Sequence, residues 1–298
     1  MIQEYKKFFL FVSLVLLITF TGCARKSVPC ACGGKDGTQT TTEVNPADQI
    51  EWENLNTEVI KLYKEQKYPQ ALKVAQRALK LAEKRFPSHT NLATSLNNLG
   101  EIMRAQNKLN EAESFHKRAL EIRKRAVGED NVEVATDLYN LAILYYSEKK
   151  LDEAEALFRQ SLQIWKKAFG DEHPNVSRCL TNLAELNKIK GNYPQAEMLY
   201  KQLLAAREKT LGKENPLVAE SLNNLATVYF IEKKYSLAEP LFTRTLSILE
   251  KSLGNEHPNI ATVLDNISQC YKSTGKEDKA LEFQKRANAI REKISQEG

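Results

Sequence analysis

Four His and five Cys in 298 residues leave little material for metal or nucleophile chemistry. Twelve Gly and nine Pro are too few for an all-β fold, which needs turn residues at every strand end. No charge sign dominates: 43 Lys and Arg face 38 Asp and Glu. The resulting +5 is too small and too dispersed to point to nucleic acid. No H-E-x-x-H, G-x-S-x-G or phosphate-binding loop is found, GGKDGT lacking the required glycine spacing. What is present is 42% apolar and 27% charged residues, the balance of a protein that buries a core.

The only long apolar run spans residues 8–20, FFLFVSLVLLITF, after Lys6 and Lys7 and before Thr21, Gly22 and Cys23. Thirteen residues fall short of the roughly 20 that span a bilayer. A charged start, a short apolar stretch and small residues before a cut site read as a secretory signal. The Gly22-Cys23 step resembles the lipobox of bacterial lipoproteins, although Phe20 stands where that family usually carries Leu. The resemblance implies cleavage after residue 22 and lipid attachment at Cys23. With Ala24 next, it also implies the periplasmic face of the outer membrane. An ordinary cleaved signal or an uncleaved anchor is the alternative. Residues 23–50 are then expected to be a lipidated, flexible tether, with Gly, Ser, Thr and Pro and no helical period. Cys30 and Cys32 lie in it without the further ligands a zinc site needs.

The remainder repeats itself. Leu99, Leu141, Leu183, Leu225 and Ile267 are spaced by 42, as are Leu96, Leu138, Leu180, Leu222 and Leu264. Ala112, Ala154, Ala196, Ala238 and Ala280 keep the step, with Ala71 preceding by 41. Gly128, Gly170, Gly212 and Gly254 keep it too. A fixed period of this size marks stacked supersecondary units. Apolar residues at i, i+3, i+4 and i+7 predict two helices per unit. Asn110, Asp152, Ser236 and Asp278 are expected to cap the second helices, with Glu113, Glu155 and Glu239 completing capping boxes. The glycines are expected to end the second helices, and Pro174, Pro216 and Pro258 to open the next first helices. Phe158, Tyr200 and Phe242, four after each Ala, should fill the gap to the next unit. His173 and His257 read as helix caps, and Cys179 and Cys270 as core thiols.

Leu-x-x-Leu-Gly/Ala-x-x-Tyr, followed by Ala and then Phe or Tyr, resembles the tetratricopeptide repeat. The 42-residue period, GDEHPNV and GNEHPNI, and the Leu-Asn-Asn-Leu at 96–99 and 222–225 resemble its kinesin-light-chain subtype. The resemblance implies an all-α, right-handed superhelical solenoid of about six hairpins over residues 51–298. The repeats fall at about 52–85, 93–126, 135–168, 177–210, 219–252 and 261–294. It also implies a concave groove lined by first helices, where Asn98, Asn140, Asn182, Asn224 and Asn266 could pair with a peptide backbone. Tyr139, Tyr146, Arg178, Lys188, Asn223 and Phe230 would line the same groove, with Asn97, Glu101, Arg104, Ile143, Glu185, Thr227 and Lys272 as neighbours. Alternatively, the Asn ladder bonds between neighbouring helices and stabilises the stack. The expected partners are a protein or extended peptide, and a membrane reached through the lipid. Nucleic acid, a small-molecule substrate, a cofactor and a metal are not expected. The expected role is a tethered scaffold in envelope assembly or secretion, pilotin-like or a cell-wall enzyme adaptor. An enzyme with unrecognised chemistry, or a cytoplasmic signalling scaffold, remains the alternative.

Overall fold

The computed structural model describes residues 45–86 and 90–297, and the signal, Cys23, Cys30 and Cys32 lie outside them. Twelve helices make up the described residues, without a strand among them. The protein divides into two compact units at Val127 and Gly128. The first unit holds α1 (Pro46–Lys64), α2 (Tyr68–Arg85), α3 (Thr90–Ala105) and α4 (Leu109–Val127). The second holds α5 (Val132–Ser147), α6 (Leu151–Phe169), α7 (Pro174–Ile189) and α8 (Tyr193–Leu211). It continues with α9 (Pro216–Ile231), α10 (Tyr235–Leu253), α11 (Pro258–Ser273) and α12 (Glu277–Glu297). Consecutive pairs form six hairpins, an all-α solenoid design.

One backbone device closes every hairpin. Gln66, Asn107, Lys149, Gly191, Lys233 and Gly275 each adopt positive φ, between 57° and 77°. The next residue then donates its N–H five residues back, as Lys67 to Leu62, Lys150 to Tyr145 and Asn192 to Asn187, at 2.8–2.9 Å. This is the Schellman closure of a helix. The same residue's carbonyl accepts the first bond of the second helix, as from Ala71, Ala154 and Ala196. The second helices therefore start from the backbone alone, and the side chains of Lys67, Lys150, Asn192 and Lys234 make no capping bond. Asn110, Asp152, Ser236 and Asp278 lie one residue inside their helices, so the expected caps are corrected. Glu113, Glu155 and Glu239 instead pair with Lys117, with Arg159 and Lys190, and with Lys276.

Between hairpins, side chains do cap. Asn131, His173, Asn215 and His257 each accept from the backbone N–H two residues on, at 2.8–3.2 Å. The His173 ring also stacks on Phe169 at 4.1 Å. Asn45 caps α1 in the same way, so helix begins at Pro46, inside the stretch read as tether to residue 50.

The small and large positions of the period interlock. The Ala71 to Ala280 series is buried, and Phe158, Tyr200 and Phe242 fill the space beside it. Ser268 donates to the carbonyl of Ala280 at 2.7 Å, possible only where helices touch. Each buried Leu of the period contributes about 1.5–3 kcal/mol relative to exposure. In the first and last hairpins the pattern turns polar. The 41-residue offset puts exposed Glu51 and Glu58 at the slots of buried Leu92 and Leu99. In α12, exposed Arg291 occupies the slot of partly buried Leu249.

Candidate partner-binding face

The first helices carry every groove residue expected from the sequence, and the two units use them differently from the expectation. In the first unit Asn98 donates to Asn56 Oδ1 at 2.6 Å, linking α3 to α1. Glu101 and Arg104 pair at 2.7 Å. His116 is fully buried, with Nδ1 2.8 Å from Asn97 Oδ1 and Nε2 3.5 Å from Glu101. Asn97 is thus a core residue rather than a groove residue. Burial opposes the charge on Glu101, but Arg104 and His116 outweigh it and hold the carboxyl down at about 2. Tyr63, against Arg104 at 3.5 Å, is pushed up to about 12 by burial and by Glu101.

In the second unit Asn182 donates to the Tyr139 hydroxyl at 2.7 Å, and Asn266 donates to Asn223 Oδ1 at 3.2 Å. The stacking role of the ladder is therefore real for Asn98, Asn182 and Asn266. Each reaches back to the preceding first helix. Asn140 and Asn224 are partly exposed and make no side-chain hydrogen bond among the described residues.

Tyr139 corrects another expectation. It is 7% exposed and packed against Phe158 and Trp165, with the Arg178 guanidinium 4.9 Å above its ring. It supports the face from beneath. Lys188 is held by Glu185 at 2.6 Å, and Tyr200 donates to the same buried carboxylate at 2.9 Å. Burial and Glu185 together raise the Tyr200 hydroxyl well above its ordinary range. Tyr146 and Phe230 remain partly exposed, as do their neighbours Ile143 and Thr227.

Two features escaped the sequence reading. His116 occupies the slot of Phe158, Tyr200 and Phe242, 42 residues before Phe158, a signal present in the period. Lys167, Lys209, Lys251 and Lys293 pair with Asp130, Glu172, Glu214 and Glu256, both series stepping by 42. As exposed pairs they are screened by water and salt and contribute little to stability.

No cluster of three or more His, Cys, Asp or Glu able to hold a metal occurs among the described residues. Stacked helical hairpins with a partly exposed face of first-helix side chains define a repeat scaffold suited to protein–protein interaction. The tetratricopeptide-repeat profile matches residues 61–125, 133–209, 181–251 and 217–293, and the protein belongs to that family. Its backbone is similar to that of BtubC (BKLC) from P. vanneervenii. The TM-score is 0.64 at 21% identity, over 84% of this protein and 93% of that one. It is also similar to a putative kinesin light chain of Podosopora anserina with nearly identical TPR-like repeats. There the TM-score is 0.62 at 24% identity, over 69% and 98%. Pseudomonas aeruginosa pilF aligns with a TM-score of 0.58 at 16% identity, over 80% and 90%. No curated protein matches significantly in sequence.

Proposed function

We propose that this protein is a lipid-anchored interaction scaffold of a bacterial cell envelope. It captures a partner protein or extended peptide on its first helices, in envelope assembly or secretion, as a pilotin-like factor or a cell-wall enzyme adaptor. One observation carries the reading. A short signal-like stretch ending in Gly22-Cys23 stands before an array of tetratricopeptide hairpins. Acyl groups add about 0.8 kcal/mol per buried methylene, so several of them hold a protein firmly at a membrane. The 21 residues between Cys23 and Asn45, if extended, reach up to about 70 Å from the lipid. Fractionation of cells carrying Cys23→Ser, with metabolic acyl labelling of the parent, tests the anchor. The expected result is labelled parent in the membrane fraction and unlabelled variant outside it. Unchanged attachment of Cys23→Ser, with no label on the parent, contradicts the proposal.

A further inference from the structure

The second unit alternates along its first helices. Hairpin four, α7 and α8, is satisfied within the protein. Asn182 is bonded to Tyr139, Glu185 is neutralised by Lys188, and Arg178 lies over the Tyr139 ring. Hairpin six resembles it in part: Asn266 is bonded to Asn223, and Asp265 to Arg291 and Gln284. Hairpins three and five are the opposite. Each presents a partly exposed Asn without a hydrogen bond, an uncharged residue three positions on, and an aromatic three positions further. These are Asn140, Ile143 and Tyr146 on α5, and Asn224, Thr227 and Phe230 on α9. Steps of three keep such side chains along one ridge of a helix.

We infer that α5 and α9 form two equivalent docking subsites, and that their occupant is an extended, uncharged peptide segment with two apolar side chains about six residues apart. The inference rests on the scaffold reading above and narrows its ligand. Each unbonded Asn offers donors and an acceptor, the complement of a backbone C=O and N–H. Tyr146 and Phe230 offer apolar surface to one side chain each. Asn182 on α7 reaches Tyr139 on α5 through one side-chain hydrogen bond, and two such steps at about 10 Å each put α5 and α9 about 20 Å apart. At about 3.3 Å per residue, that is about six residues of extended peptide. The charge pattern sets the rest. Between the two subsites Glu185 and Lys188 cancel at 2.6 Å, and Arg178, without a carboxylate partner among the described residues, lies 4.9 Å over the Tyr139 ring, so a charged side chain passing there loses water and an acidic one must draw Arg178 off that ring. Lys272 is exposed, but it belongs to hairpin six, beyond the second subsite.

The test uses the full-length protein and fluorescent ten-residue probes of Ser, Thr and Asn, carrying two Phe spaced by three, six or nine. Anisotropy titrations are read at low and high salt. The spacing of six should bind tightest, with less than about a twofold change between the two salt conditions. Tyr146→Ser and Phe230→Ser should each weaken it about tenfold. Asn140→Ala and Asn224→Ala should each cost about threefold, and Asn182→Ala less than either. Should a serine variant fail to fold, the spacing series on the unaltered protein still decides. Equal binding at all spacings, or none, overturns the inference. So does tighter binding of probes with Asp or Lys between the Phe residues. The scaffold reading fails separately, if photocrosslinkers on the first helices capture nothing in the native envelope.

Discussion

Gly100 has no room for a methyl group. A Cβ there would lie 2.7 Å from the ring of His116, which is fully buried and cannot swing away. Helix propensity favours Ala over Gly by about 1 kcal/mol. Overpacking costs about 1–3 kcal/mol and should win. Gly100→Ala is therefore expected to lower stability in the parent, by about 1 kcal/mol. In a His116→Ala background it should raise stability instead, and denaturant titrations of the four proteins measure the coupling. Glu101, beside the same ring, links stability to acid. Its carboxyl titrates at about 2 when folded and near 4.3 in the unfolded state. A depressed value stabilises the fold above the unfolded pKa, and that contribution is lost as pH falls from about 4.5 toward 2. The full contribution is about 3 kcal/mol. Glu101→Gln should remove this part of the acid dependence, seen as a shallower loss of urea resistance between about pH 5 and pH 2.5.

At the scale of elements, the hairpin turn is the recurring strain. Four of the six turn residues are Gln, Asn or Lys at positive φ, where glycine meets no steric penalty. Lys149→Gly and Lys233→Gly should each raise thermal stability, by about 0.5–1 kcal/mol. Gly212→Ala at φ 81° should lower it by about 1 kcal/mol. Calorimetry on the three variants checks both signs. The helices and their order were legible in the sequence, because the 42-residue step is carried by buried Leu and Ala that tolerate little change. The His173 and His257 caps were legible too, since each stands directly before a proline that opens a helix. The second-helix caps were not. Asn110 and Asp152 have capping chemistry, but the Schellman bond already supplies the start from the backbone. The site was less legible. An Asn that binds a neighbouring helix and one left open look identical in sequence. What separates Asn182 from Asn140 is a hydroxyl on Tyr139, 43 residues away.

For the whole molecule, polar substitutions stand in the first and last hairpins of the array. Glu51 and Glu58 occupy slots that are buried and apolar in the next hairpin, so the first hairpin meets water on that side. Replacing both by Leu should create an apolar end face. Concentration-dependent association is expected in sedimentation velocity, with the parent unchanged over the same range. The proposed function has the first helices of a membrane-tethered protein capturing a partner. The most direct measurement is site-specific photocrosslinking in the native envelope, with a photoreactive residue at 146 or 230 and a control at exposed Lys201 on α8. A discrete crosslinked protein is expected from 146 and 230, weakened by Asn140→Ala with Asn224→Ala, and none from 201. Crosslinks from 201 alone, or from no position, would contradict it.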